Sequence, residues 1–79
     1  MRGETMNDFD YAIPVAVTTV KDDDTRIVQV ATMLNSSDAA MYAASCRRYG
    51  AIAMIILYDP TIVMVIYKKD SEGKIGPTY

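Results

Sequence analysis

The sequence predicts an α+β domain of ββαββ order, with one four-stranded, mainly antiparallel sheet and a single helix on one face. Two pairs of segments rich in β-forming residues flank one sequence that is typical of a helix start. The composition, 51% hydrophobic and 23% charged residues, is typical of a globular protein. The 79 residues suffice for one small domain. We assign residues 11–69 to it, with 1–10 as a frayed N-terminal segment and 70–79 as a polar C-terminal tail.

The first hairpin is predicted between residues 11 and 34. Tyr11–Val20 alternates large and small side chains, as a strand does, and Pro14 indicates an edge position or a bulge. The turn Lys21–Asp24 leads to the returning strand Thr25–Leu34. A four-residue turn pairs Val17 with Val28, so that the larger side chains share one face. That face would hold Tyr11, Val15, Val17, Val28, Val30 and Leu34, opposite Pro14, Thr18, Gln29 and Ala31.

The single helix is predicted over Ser37–Tyr49. The run Asn35-Ser36-Ser37-Asp38 supplies a hydroxyl N-cap and an aspartate in the first turn. Arg47 and Arg48 lie in the last turn, and Gly50 is the expected residue after the C-cap. The apolar stripe of this helix is alanine-rich, so the helix can lie close to a sheet while covering little of it. Its members are Ala39, Tyr42, Ala43, Cys46 and Tyr49.

The second hairpin, Ala51–Tyr58 and Thr61–Tyr67, is apolar at nearly every position, so both of its faces need cover. A type I turn at Asp59-Pro60 pairs Met54 with Tyr67. The side expected to meet the helix is Ala53, Ile55, Leu57, Ile62, Met64 and Ile66. The side left over is the candidate partner interface: Met54, Tyr58, Val63, Val65 and Tyr67.

Several classes of function are disfavoured by composition and patterning. The net charge is −2 and the basic residues are scattered, so we expect no direct nucleic-acid binding. The longest apolar stretch, residues 51–67, carries Asp59-Pro60 at its middle, which argues against a membrane helix. The single Cys46 and the absence of an apolar leader pattern at the start predict a reducing, cytoplasmic setting.

No residue pattern indicates a catalytic, cofactor or metal site. The chain has no histidine, so the commonest general base is missing, and Cys46 is interpreted as a buried structural thiol. The triplet Asp22-Asp23-Asp24 lacks the glycine and glutamate of a calcium loop and is interpreted as a solvated turn. This triplet, with Arg47 and Arg48, forms a secondary candidate set of charged contacts with a partner.

In its layout the chain resembles the small phage-encoded anti-CRISPR proteins. The resemblance rests on the four strand segments around the helix Ser37–Tyr49, and no shared motif carries over a functional residue. It implies a cytoplasmic, non-catalytic inhibitor that binds a CRISPR effector subunit and blocks target-DNA binding or nuclease recruitment. The alternative is a homo-oligomeric structural or regulatory module. In it the Met54, Tyr58 and Tyr67 side forms a two-fold interface, and Val65→Asp dissociates the dimer.

Overall fold

The predicted α+β fold of ββαββ order is confirmed. The computed structural model describes residues 12–75, and the sheet order is β1-β2-β4-β3 with every neighbouring pair antiparallel. Residues 1–11 and 76–79 lie outside the described part, and they include the whole predicted N-terminal segment, residues 1–10, and the last four residues of the predicted tail. The elements are β1 (Ala16–Asp22), β2 (Arg26–Thr32), α1 (Ser36–Arg48), β3 (Ile52–Ile56) and β4 (Asp59–Lys68).

The helix lies over one half of the sheet. It connects β2 to β3, which are separated by β4, and it packs mainly on β3 and β4. Strand β1 is at the far edge of the sheet and is exposed at every position. Among residues 12–75, one short helix therefore leaves part of its own side and the whole opposite side of the sheet without a covering helix.

The ends of α1 are fixed by local hydrogen bonds. The side-chain oxygen of Asn35 accepts the backbone N–H of Asp38 at 2.8 Å, so an amide serves as N-cap where a hydroxyl was predicted. Arg47 and Arg48 lie in the last turn, as predicted. Gly50 follows with a φ of 87°, the left-handed conformation that glycine adopts without a Cβ penalty.

The predicted register of the first hairpin is wrong because the turn lies later in the chain. The Asp23 carboxylate accepts the backbone N–H groups of Thr25 at 2.8 Å and Arg26 at 3.0 Å, which closes the turn around Asp24. A further irregularity in β1 lies between Thr19 and Lys21. The pairs are consequently Val17 with Ala31 and Thr18 with Val30, so the predicted large and small faces are mixed.

The second hairpin also turns at a different place. Ile56 pairs with Asp59, so the loop is Leu57-Tyr58 rather than Asp59-Pro60. The Asp59 carboxylate instead accepts the backbone N–H of Thr61 at 3.1 Å and its hydroxyl at 2.6 Å, a local turn inside the start of β4. When the register between two paired strands shifts by an odd number of residues, the side chains of one strand move to the other face of the sheet relative to those of its partner.

The core under the helix is built mainly from small side chains. Val63 and Val65 are its largest fully buried members, both with no exposed surface. Alanines on the helix and on the sheet allow the two layers to approach closely, whereas isoleucine and methionine would hold them apart. The aliphatic side of the second hairpin, predicted to meet the helix, therefore does not do so as a set. The buried residues are Ala12, Ala31, Met33, Ala39, Ala43, Cys46, Ala51, Ala53, Val63 and Val65.

Candidate protein-binding surface

The side of the sheet opposite α1 presents a continuous apolar surface, which we call the open face. Met54 of β3 pairs with Met64 of β4, and Met64 pairs with Val30 of β2, so the three side chains form one row across the sheet. No helix or strand within residues 12–75 packs over these rows. The open face consists of Val28, Val30, Ile52, Met54, Ile62, Met64 and Ile66.

The exposure of the open face is greatest on the edge strand. Ile52 and Met54 each keep 53% of their surface accessible, and the residues on β2 and β4 are partly exposed. Covering a large aliphatic side chain contributes about 1.5–3 kcal/mol. Contiguous apolar patches on a protein surface are typical of interaction sites.

One end of the open face carries positive charge. Arg26 pairs with Lys68 in the row beyond Val28 and Ile66, and Lys21 pairs with Val28. Side chains two residues apart on a strand share a face, so Arg26 and Lys68 lie on the open side. Lys21 is also 3.4 Å from the Asp23 carboxylate in an exposed ion pair. We call Lys21, Arg26 and Lys68 the basic end of the open face.

The loop of the second hairpin projects two large apolar side chains into solvent. Leu57 is 97% exposed and Tyr58 is 90% exposed. Two-residue hairpin loops favour asparagine, aspartate and glycine, because their central residues adopt positive φ in the preferred turns. The turn itself therefore gives no reason for leucine and tyrosine at these positions.

The predicted partner interface does not form one surface. Met54 lies on the open face and Tyr58 lies at the hairpin tip, whereas Val63 and Val65 are fully buried beneath α1. Tyr67 is half-buried on the helix side, where its hydroxyl is 3.5 Å from Cys46 Sγ. The structure corrects the expected face, because the register moved by an odd number of residues. Sequence reasoning missed Val28 and Val30, and also Ile52, Ile62, Met64 and Ile66. The signal for the last four was the lack of alternation in both strands of the second hairpin.

Two of the three predicted acidic contacts, Asp22 and Asp23, are engaged by other residues of the chain. Asp22 accepts Lys69 Nζ at 2.7 Å, and the Asp23 carboxylate is occupied by the turn. Hydrogen bonds from the backbone and side chain of Thr25, followed by the backbone of Arg26, hold the pKa of Asp23 well below its usual range. Asp24 is exposed. Within residues 12–75 no group of three or more His, Cys, Asp or Glu side chains is placed to hold a metal ion.

Arg47, the first of the predicted basic contacts, interacts with the sheet edge. Its Nε and Nη2 atoms donate to the carbonyl oxygen of Ala53 at 3.0 and 2.6 Å. That carbonyl belongs to edge strand β3, so the guanidinium occupies a position at which another strand could pair. Arg48 is exposed in the same last turn of α1.

A second feature, on the helix side, is a cleft of about 270 Å³ between α1 and residues 12–14. Tyr42, Cys46 and Tyr67 lie among its lining residues. Burial, followed by the neighbouring Cys46, raises the pKa of both Tyr42 and Tyr67 above the usual range for tyrosine. Both hydroxyls therefore keep their protons near neutral pH and remain hydrogen-bond donors.

Comparisons with known proteins give this chain no relative. No protein-family model, curated protein or solved structure matches it. Within the part of the chain that the structure describes, no helix has the length and hydropathy needed to cross a membrane.

Proposed function

We propose that this protein is a non-catalytic, protein-binding inhibitor that acts by covering part of another protein's surface through its open face. The observation that supports this proposal is the uncovered set of apolar side chains on β2, β3 and β4. The resemblance to anti-CRISPR proteins suggests the partner, a CRISPR effector subunit in the host cytoplasm. Occlusion of that subunit would block target-DNA binding.

The charge distribution suggests the chemistry of the contacted surface. The centre of the open face has no charge, whereas Lys21, Arg26 and Lys68 lie at one end. A complementary partner surface has an apolar centre and carboxylates on one side. Rim charges of this kind mainly set specificity and the association rate, and apolar residues at the centre supply most of the affinity.

A panel of purified CRISPR effector complexes of different types provides the test. Complex formation is measured by light scattering on a sizing column, and target-DNA binding is measured by fluorescence anisotropy. We expect one effector to bind the chain stoichiometrically and to lose DNA binding without any turnover of the chain. Met64→Asp should weaken the complex about 30-fold or more, as loss of a central contact residue does.

Ser71→Ala is a matched control, because Ser71 is exposed in the turn after β4 and lies outside the open face. Equal inhibition by the parent chain and by Met64→Asp would exclude the open face as the contact surface. Failure to bind any effector in the panel would reject the inhibitor proposal in its CRISPR form.

A homo-oligomeric structural or regulatory module is the second candidate. The uncharged row Val30, Met64 and Met54 supports it, since two such rows can stack face to face in a two-fold dimer. The solution mass at several protein concentrations distinguishes the candidates. A dimer that Met64→Asp converts to monomer supports self-association, and a monomer at all concentrations excludes it.

A further inference from the structure

The cleft on the helix side lies apart from the open face and has the composition of a small ligand pocket. It is bounded by residues 12–14, by the C-terminal half of α1 and by Tyr67 of β4. Its lining residues are Ala12, Ile13, Pro14, Tyr42, Ser45, Cys46, Tyr49 and Tyr67. None of these residues is Asp, Glu, Lys or Arg, and three of them are tyrosines. Apolar walls with a few polar groups are typical of small-molecule sites.

Ser45 supplies a polar group that lacks a partner. Its hydroxyl oxygen is buried and makes no hydrogen bond. A serine within a helix ordinarily points to solvent or bonds back to the carbonyl oxygen four residues earlier. Ser45 does neither, and a buried hydroxyl without a partner is unfavourable. A hydrogen-bonding atom of a bound molecule would remove that cost.

We propose that this cleft binds a small, uncharged aromatic molecule with one hydrogen-bonding group, of the size of indole. A cavity of about 150 Å³ accepts a benzene molecule, so about 270 Å³ accommodates a fused two-ring system. The rings of Tyr42, Tyr49 and Tyr67 offer edges and faces for stacking. Ser45 lines the cleft, and rotation of its side chain toward the ligand lets the buried hydroxyl accept the single N–H or O–H group.

Indole is a direct probe, because the chain has no tryptophan and indole fluorescence can be excited selectively. Transfer of indole from water into an apolar cleft shifts its emission to shorter wavelength. We expect a saturable blue shift with one site per chain and a dissociation constant below about 1 mM, typical of a ligand with so few atoms. Absence of a saturable shift up to the solubility limit of indole would overturn the proposal.

Ser45→Ala tests the hydrogen bond between the ligand and the Ser45 hydroxyl. The variant should remain folded, because it removes a hydroxyl that has no partner and raises helix propensity. This variant should weaken indole binding about 3- to 10-fold. Binding of indene, which keeps the two rings but lacks the N–H, should not change. Ser37→Ala, an exposed position on the same helix, is the matched control and should bind indole as the parent does.

Two further outcomes would contradict the proposal that indole binds in the cleft with Ser45 as its hydrogen-bond acceptor. Equal weakening of indole and indene by Ser45→Ala would show that Ser45 does not accept the N–H. Loss of indole binding in Met64→Asp, with Ser45→Ala unaffected, would place indole on the open face. The cleft and the open face lie on opposite sides of the sheet, so this result is independent of the proposed inhibitor function.

Discussion

Met64 and Val65 are consecutive in β4, yet they belong to different environments. Val65 is fully buried beneath α1, where it pairs with Ala53, whereas Met64 pairs with Met54 on the open face. Successive side chains of a strand point to opposite faces. The two positions therefore separate the contribution of the core from that of the candidate binding surface.

Aspartate at these two positions should have very unequal effects on stability. Val65→Asp buries a carboxylate without a partner and should lower the free energy of unfolding by about 3–5 kcal/mol or abolish folding. Met64→Asp should change it by about 1 kcal/mol or less in the monomer, because its side chain reaches solvent. Urea denaturation followed by circular dichroism measures both.

The burial of Val65 also changes the outcome expected of Val65→Asp, which should destabilise the fold itself and not only dissociate a dimer. A folded, stable Val65→Asp chain would contradict the burial of Val65 beneath the helix. The exposed substitution Lys68→Asp, on the same strand, controls for the introduction of a carboxylate into β4.

The hairpin tip should contribute to partner binding and not to folding. Replacing Leu57-Tyr58 by Asn-Gly installs a preferred two-residue turn, so the urea midpoint should stay the same or rise. Binding to the partner should weaken, because a protruding tyrosine is a frequent source of interface affinity. A large loss of stability in the Asn-Gly chain would show instead that the tip packs within the fold.

Arg47 should protect the edge of β3. Arg47→Ala removes two hydrogen bonds to the Ala53 carbonyl oxygen and should lower the free energy of unfolding by about 0.5–1.5 kcal/mol. It should also increase strand-mediated aggregation, measured by light scattering during prolonged incubation. Arg48→Ala is the neighbouring control in the same turn of α1. Equal aggregation of the two variants would argue against edge protection by Arg47.

Acid should weaken the first hairpin through Asp23. Its pKa is lowered in the folded chain by hydrogen bonds from Thr25 and Arg26, and an unfolded aspartate titrates near pH 4. The stabilisation is therefore present above about pH 4 and is lost as the pH falls through the lower, folded pKa. In urea denaturation, the parent chain should have a higher free energy of unfolding than Asp23→Asn at pH 6, and this difference should be smaller at pH 2.5. If the difference in free energy of unfolding were the same at both pH values, the stabilising role of the Asp23 carboxylate would be rejected.

The kind and order of the elements could be predicted, whereas the faces could not. Gly50 and the arginines marked the end of α1, and β-branched residues marked the strands. Asp23 was correctly assigned to the first turn, whereas the second hairpin turns at Leu57-Tyr58 and not at the predicted Asp59-Pro60. Asp23 closes its turn by accepting the N–H groups two and three residues later, and Asp59 accepts the N–H group two residues later inside the start of β4. Both hairpins are displaced from the predicted register. Because side chains alternate, that displacement buries Val65 and leaves Met64 on the partly exposed open face.

The sequence by itself determined an α+β domain with more apolar strand surface than one alanine-rich helix can cover. Local hydrogen bonding and periodicity are encoded in neighbouring residues, so these properties follow from the chain alone. Only the tertiary structure decided which side the helix covers, because that depends on close packing between α1 and the sheet. The small side chains Ala31 and Ala53 allow that approach beside Val63 and Val65, and the larger Met64 and Ile66 therefore form the open face.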